Sequence, residues 1–214
     1  VFSKSHNVNW LSAARIFLFG ARDVWFVVGI PIYFYAVLSD GTATGNYEAF
    51  FLIGTFMSFW VILYGVVQAM VPKLLRADSR SEQDLVGATR NWGLILFLIL
   101  MILASTSFFL QENSLWLTQV LVAGLAIFGA VFAVNSSLHS YLILAFTQSE
   151  RVTMDVGFYY MANAAGRLLG TLLSGWTYQI GGLVGCLTTA TLMVGVSVLA
   201  AIRLKSGYQP QPVH

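Results

Sequence analysis

Six long apolar stretches follow one another along the 214-residue chain, separated by short polar segments. Each is at least as long as the roughly 20 apolar residues that cross a bilayer as a helix. The stretches are continuous, whereas the strands of an outer-membrane barrel alternate over about ten residues. The pattern predicts an all-α membrane protein, a single bundle over residues 1–214, with six transmembrane helices at roughly 13–38, 47–71, 91–110, 115–146, 152–180 and 183–202.

Turn residues and charge mark the expected ends of these spans. The first is expected to end at Ser39-Asp40-Gly41 and the third at Gln111-Glu112-Asn113. The second should end at Pro72, because proline cannot continue the helical hydrogen-bond ladder.

Composition agrees with a membrane protein and excludes several other classes. Hydrophobic residues make up 57% of the chain, charged residues only 9%, and the mean hydropathy is +0.76; soluble domains carry about 25% charged residues. The net charge of +2 is too small to suggest nucleic-acid binding, and the single cysteine, Cys186, excludes a disulfide framework or a multi-cysteine zinc site. We expect no metal and no cofactor. Because the chain starts with Val1 and shows no signal segment, we expect it to be a piece of a longer protein.

The positions of the basic residues predict an orientation. With six spans, nine Lys and Arg residues fall on one side of the membrane, whereas the opposite loops carry only acidic charges. Short cytoplasmic loops carry the excess of Lys and Arg, so both ends should be cytoplasmic. The nine include Arg15, expected at the cytoplasmic start of the first span; the others are Lys4, Lys73, Arg76, Arg80, Arg90, Arg151, Arg203 and Lys205.

Arg22 and Arg167 lie inside predicted spans, where a charge costs at least about 2.5–3.5 kcal/mol. Arg22 could extend its side chain to the cytoplasmic interface, paired with Asp23. Arg167, about fifteen residues into the fifth span, is too deep for that. It should line a cavity, or pair with Asp155, Asp23 or a helix outside this chain.

The polar residues are concentrated in the first, fourth and fifth spans, whereas the third and sixth are nearly uniformly apolar and are expected to face lipid. In the fourth, Asn135 and His139 share a face, and His139 is either a proton carrier or a hydrogen-bonding helix contact. A small-residue series in the fifth (Ala162, Gly166, Gly170) predicts close packing of another helix. A polar ribbon with a spacing of four follows the same span: Asp155, Tyr159, Asn163, Arg167 and Thr171.

The sequence shows no catalytic motif. It contains no His-Glu-x-x-His run, no phosphate-binding glycine loop, and no nucleophile and general base at a spacing typical of a hydrolase or transferase. Arginines in a polar seam instead favour binding of a phosphate or carboxylate, to which a guanidinium donates two parallel hydrogen bonds. We therefore expect a bundle that moves a small anion and no enzyme. The charged loop 73–90 is a solvated connection, or a switch that works through ion pairs.

The order of polar and apolar spans resembles one half of a major facilitator superfamily transporter, in which two six-helix halves are related by an axis along the membrane normal. This resemblance implies that the chain is the C-terminal half, with helices seven to twelve, and that its partner is the N-terminal half of the same transporter.

Three runs give a closer resemblance. Residues 9–15 (NWLSAAR), 17–28 (FLFGARDVWFVV) and 157–170 (GFYYMANAAGRLLG) are similar to the organoarsenical efflux permeases of bacterial arsenic-resistance operons. The resemblance implies export of arseno-phosphoglycerate, which glyceraldehyde-phosphate dehydrogenase forms when it uses arsenate in place of phosphate.

The candidate site residues are taken from the polar residues inside the spans and from these three runs. Arg22 and Arg167 are the expected anion ligands, together with Asn163, Tyr159 and Asn135. The candidates for proton coupling are His139, Asp23 and Asp155. A proton-coupled drug or sugar-phosphate carrier of the same fold, and a membrane assembly protein without transport, are the alternative functions.

Overall fold

A computed structural model describes residues 3–75, 80–110, 115–147 and 149–205. Over these residues the regular structure is helical, with a 3-10 turn (Ser149–Arg151) before the last helix. The helices are α1 (His6–Val24), α2 (Ile30–Leu38), α3 (Ala43–Leu75), α4 (Glu82–Phe109), α5 (Leu115–Phe146) and α6 (Val152–Ile202). A π-helical turn, Trp25–Gly29, joins α1 and α2 into one continuous rod.

Five helices in the described part of the chain are long and apolar enough to cross a membrane. They are His6–Leu38, Ala43–Leu75, Glu82–Phe109, Trp116–Phe146 and Val152–Ile202. The expected all-α fold is confirmed, and these helices are those of a multi-pass membrane protein.

The longest helix, α6, reverses direction at two glycines. Gly181 and Gly182 have non-helical backbone angles, and Gly182 has a φ of 57°, a conformation that favours glycine. The Sγ atom of Cys186 lies 3.6 Å from the carbonyl oxygen of Ser174, although twelve residues of straight helix would separate them by about 18 Å. The two arms of α6, residues 152–180 and 183–202, therefore lie side by side and antiparallel.

Helix α1 packs against both arms of α6. Along the first arm, Gly166 faces Ile16 and Gly170 faces Gly20, so this arm runs parallel to α1. The second arm runs antiparallel to α1, and its Ser197 hydroxyl donates to the carbonyl of Ala14 at 2.8 Å. The small-residue series predicted to pack closely does so, with α1 as its partner.

Helices α3 and α4 complete the bundle. Helix α3 contacts α5 through Trp60, whose indole N–H donates to the carbonyl of Leu125 at 2.8 Å. Helix α4 lies between α5 and the second arm of α6, where Gly93 faces Asn135 and Val198.

Several helix ends differ from the sequence expectation. The first helix begins at His6 rather than near Ala13, because the Ser5 hydroxyl accepts from the backbone N–H of Val8 and caps its N-terminus. Helix α3 passes through Pro72 and ends at Leu75. In a last turn, proline removes only one hydrogen bond and need not end the helix where it stands. Helix α4 begins at Glu82 rather than near Asn91, because Ser81 caps its N-terminus. It ends at Phe109, next to the expected end of the third span at Leu110; residues 111–113, expected to follow it, lie outside the described residues.

The sixth span, expected with the third to face lipid, is exposed on one face only. In the second arm of α6, Leu187, Ala190 and Val194 are fully buried against the bundle, whereas Leu192 and Leu199 are exposed. Helix α3 is the most exposed of the five long helices, since only 6% of its most apolar segment is buried. Because lipid tails are as apolar as leucine, an apolar sequence does not distinguish a helix that faces lipid from one that faces other helices.

A bulkier residue at Gly166 should loosen the contact between α1 and α6. The Cβ of Gly166→Ala would lie 2.3 Å from the carbonyl oxygen of Ile16, a backbone atom that cannot rotate away. Overpacking of this kind costs about 1–3 kcal/mol, so we expect a lower melting temperature in detergent. Gly157→Ala is the matched control, because its Cβ would meet nothing within 4 Å. Equal melting temperatures for the two variants would contradict the close helix contact.

Candidate polar site between α1, α5 and α6

One buried carboxylate joins two arginines from two helices. Asp23, on α1, is 2% exposed. Its Oδ1 accepts from Arg22, at 2.7 Å from Nε and 2.6 Å from Nη2. Its Oδ2 accepts from Nε of Arg167 on the first arm of α6, at 3.2 Å. The Asp23 group, as we call these three residues, therefore ties α1 to α6 at the level of their closest approach.

The two arginines of the Asp23 group differ in exposure. The Arg22 side chain is 13% exposed, whereas that of Arg167 is 58% exposed. Of the partners considered for Arg167, the structure selects Asp23. The interfacial extension considered for Arg22 does not occur, because its guanidinium turns inward to Asp23 and over the rings of Phe19 and Phe132.

A second buried arginine lies on the same helix, two turns before Arg22. Arg15 is 5% exposed and donates from Nε to Oδ1 of Asn163 at 3.2 Å. Its Nη1 donates to the backbone carbonyl and the hydroxyl of Ser136 on α5, at 3.1 Å and 3.2 Å. Its guanidinium also lies 4.9 Å from the ring centre of Tyr159. We call Arg15, Ser136, Tyr159 and Asn163 the Arg15 group.

The position of Arg15 differs from the sequence expectation, which placed this residue at the cytoplasmic start of the first span. Because the helix begins at His6, Arg15 lies nine residues inside it and reaches the bundle interior. Arg15, Phe19 and Arg22, spaced by four and three, share one helix face, and this spacing was the sequence signal for an interior arginine. Ser136 was not a candidate site residue. Its contact with Arg15 involves its backbone carbonyl, which every residue has, so no sequence pattern predicts it.

Two buried polar atoms on α5 have no hydrogen-bond partner among the described residues. They are Oδ1 of Asn135 and Nδ1 of His139. Asn135 and His139 lie on either side of Ser136 along α5, and both are almost fully buried. Buried polar groups are normally paired, so a bound water is expected at these atoms.

The fifth-span ribbon does not form one continuous polar surface. Asp155 and Tyr159 are buried, Asn163 is half-buried, and Arg167 and Thr171 are exposed. Each step of four residues turns about 40° around a helix with 3.6 residues per turn, and this drift carries the ribbon out of the interior. Asp155 accepts from the hydroxyl of Ser3 at 2.7 Å and takes no part in either arginine group.

The backbone is irregular directly after Asp23. In the π-helical turn, the N–H of Ile30 bonds to the carbonyl of Trp25, five residues back. The next residue, Pro31, has no N–H to donate, and the wider turn accommodates it. The N–H of Val28 turns to the hydroxyl of Ser174 at 3.1 Å, a further link between α1 and α6.

The expectation of a charged loop over residues 73–90 is wrong in its bounds, because residues 73–75 belong to α3 and residues 82–90 to α4. This segment contributes no ion pair within the described residues, where both ion pairs involve Asp23. Ser81 and Asp84 instead form a capping box at the start of α4. Arg90 donates to the carbonyls of Ala201, Ile202 and Leu204 at the end of α6. The switch hypothesis also involved residues 76–79, which lie outside the described residues.

The arginines exceed the carboxylates in these two groups. Together the groups contain three guanidiniums, of which the one on the 58% exposed side chain of Arg167 is accessible, and one carboxylate. Their surplus is two positive charges. Arg15 has no carboxylate within salt-bridge distance in the described part of the chain.

Neither protein-family models, nor curated proteins, nor solved structures gave a match to this chain.

Removing the Asp23 carboxylate should destabilise the bundle. Asp23→Asn leaves two guanidiniums at the helix contact without their counter-charge, and breaking a buried ion pair costs about 3–5 kcal/mol. We expect a large loss of thermal stability in detergent and a partial recovery in the double variant Asp23→Asn/Arg22→Gln, which removes one of the stranded charges. Asp40→Asn, at an exposed position, is the control. A double variant no more stable than Asp23→Asn would contradict the charge balance described here.

Proposed function

We propose that the chain is the anion-binding part of a membrane transporter. The observation that carries the proposal is the surplus of guanidinium over carboxylate groups among membrane-spanning helices. An uncompensated charge at this depth is costly, and an anionic substrate would offset it. Guanidinium groups suit phosphate, arsenate or carboxylate because they donate two parallel hydrogen bonds.

The arrangement of helices supports six membrane crossings with both ends on one side. The reversal at Gly181–Gly182 divides α6 into two rods, and the first of these runs parallel to α1 while the second runs antiparallel. Six rods in alternating directions correspond to one half of a major facilitator transporter in a bacterial inner membrane. The N-terminal half of that transporter is the proposed partner. The half-exposed Arg167 would then face a water-filled cavity between the halves.

The proposed substrate is an organoarsenical anion, arseno-phosphoglycerate, exported for resistance to arsenate. The runs that resemble organoarsenical permeases, 9–15, 17–28 and 157–170, contain every arginine of the two groups described above. The residues that carry the resemblance are thus also the residues with which an anion could interact. Glyceraldehyde-phosphate dehydrogenase would supply the substrate from arsenate.

The candidate residues take distinct roles in this proposal. Arg22 and Arg167 bind the anion, while Asn163, Tyr159 and Asn135 offer neutral polar groups that orient it. Asp23 competes with the substrate for the two arginines, which makes it the leading candidate for coupling to protons. His139 and Asp155 are the other candidates for proton coupling.

Transport in everted membrane vesicles tests the proposal. Vesicles containing the protein in its full natural reading frame receive labelled arsenate, with or without glyceraldehyde-phosphate dehydrogenase, its substrate and NAD. We expect arsenic to accumulate only when the enzyme is present. Arg167→Gln should reduce the rate by about tenfold or more, as expected for loss of a charge-assisted contact, whereas Arg80→Gln, the same change at an exposed position outside the site, should not.

Other outcomes identify other functions. Accumulation without the enzyme would mean that inorganic arsenate is the substrate. Transport of a lipophilic drug that is insensitive to Arg167→Gln would favour a drug carrier over an anion carrier. No accumulation of any of these compounds would contradict the proposal and favour an assembly protein.

A further inference from the structure

Two apolar grooves open on the surface of the bundle at the end where α6 reverses direction. The α4 groove, of about 340 Å³, lies between residues 101–109 of α4 and residues 184–192 of α6. The reversal groove, of about 300 Å³, lies between the two arms of α6 at residues 177–189. Val184 and Thr188 line both grooves and separate them. We infer that a two-tailed membrane lipid binds here, with one acyl chain in each groove.

The α4 groove opens where α4 and the second arm of α6 lose direct contact. Farther along the same two helices the contact is close. A Cβ at Gly93 would lie 3.0 Å from Cγ2 of Val198, and a Cβ at Gly195 would lie 3.3 Å from the ring of Phe97. These pairs show that the helices are antiparallel, and from Met101 onward the groove lies between them.

Both grooves match an acyl chain in length and direction. Residues 101–109 and 184–192 each rise by eight steps along a helix, which is about 12 Å. From the reversal at residue 181 to residue 189, the second groove has the same length. One leaflet contributes about 15 Å to the hydrocarbon core of a bilayer. Each groove begins at helix ends and follows the helices inward, as a lipid tail does from its headgroup.

The lining of the grooves suits hydrocarbon. No charged side chain lines either groove among the described residues. Phe108 and Leu192 in the α4 groove and Ile180 in the reversal groove are exposed. The hydroxyls of Thr177 and Thr191 already donate to carbonyls of their own helix. No residue of the Asp23 group or the Arg15 group lines these grooves, so the inference does not depend on the proposed anion transport.

The presence of two walls distinguishes these grooves from other lipid-facing surface. Lipid tails are as apolar as leucine, so a tail gains no hydrophobic free energy when it leaves the bilayer for the protein. Its binding depends on dispersion contacts, which add up with the number of atoms touched. An exposed groove at residues 50–62 is lined by α3 alone. A tail there contacts one helix wall, whereas a tail in the α4 groove or the reversal groove contacts two.

Photo-crosslinking of the natural full-length protein in detergent micelles tests the inference. The probe is phosphatidylcholine with a diazirine group in one acyl chain, and the labelled residues are identified by mass spectrometry after digestion. We expect label on residues 101–109 and 177–192 at about ten times the level on residues 50–62 of α3, a preference of about 1.4 kcal/mol.

Competition by unlabelled lipids separates tail recognition from headgroup recognition. Phosphatidylethanolamine and phosphatidylglycerol should displace the probe equally well, because no charged side chain lines the grooves. Lysophosphatidylcholine, which has one tail, should compete about ten times more weakly, since it loses the contacts of one groove. Equal competition by the one-tailed and two-tailed lipids would overturn the inference.

Thr188→Trp and Leu199→Trp are the matched variants. Both positions are exposed on the second arm of α6, but only Thr188 lies between the two grooves. Thr188→Trp should lose the label at both grooves and melt like the unmodified protein in lipid-free detergent, whereas Leu199→Trp should keep the label. Label spread evenly over the exposed helices, label at one groove only, or label unchanged in Thr188→Trp would overturn the inference. Cross-links between two copies of the chain in place of lipid would also overturn it, because the grooves would then form a dimer interface.

Discussion

The sharing of the Asp23 carboxylate between Arg22 and Arg167 is the interaction on which the rest of this interior depends. It places two guanidiniums from different helices against one buried acid. An unpaired arginine at this depth costs at least about 2.5–3.5 kcal/mol, and a carboxylate for every arginine would leave nothing to attract an anion. The shared acid holds both arginines in place and still leaves positive charge.

Helix packing makes this sharing possible. At Gly166 and Gly170 the backbones of α1 and α6 approach so closely that a Cβ would overlap the carbonyls of Ile16 and Gly20. Asp23 lies one turn beyond this contact, within reach of both helices. The close contact between the backbones of α1 and α6 leaves no room for side chains, so the polar side chains of the two groups lie beside this contact. This arrangement separates the Arg15 group from the Asp23 group, with Phe19 between them.

Much of this architecture can be predicted from residue patterns, and the failures have physical causes. The apolar runs indicate the helices, and the small-residue series indicates the tightest contact, because both depend on local composition. Arg15 was misplaced because the cap at Ser5 extends the helix by nearly two turns, so a residue expected at its start lies inside it. The burial of one face of the second arm of α6 was missed because lipid and a neighbouring helix offer leucine the same environment. The choice of Asp23 over Asp155 for Arg167 depends on three-dimensional proximity, which no spacing along one helix reveals.

The central claim, that Arg22 and Arg167 are the anion ligands, can be tested by nuclear magnetic resonance of the protein in nanodiscs with ¹⁵N-labelled arginine. The Nε–H signals would be assigned by replacing one arginine at a time and followed as phosphoglycerate is added. We expect the signals of Arg22 and Arg167 to shift together and to saturate, while that of Arg90, which is held by backbone carbonyls at the end of α6, stays unchanged. Saturable shifts at Arg90 or at other arginines, with none at these two, would contradict the claim.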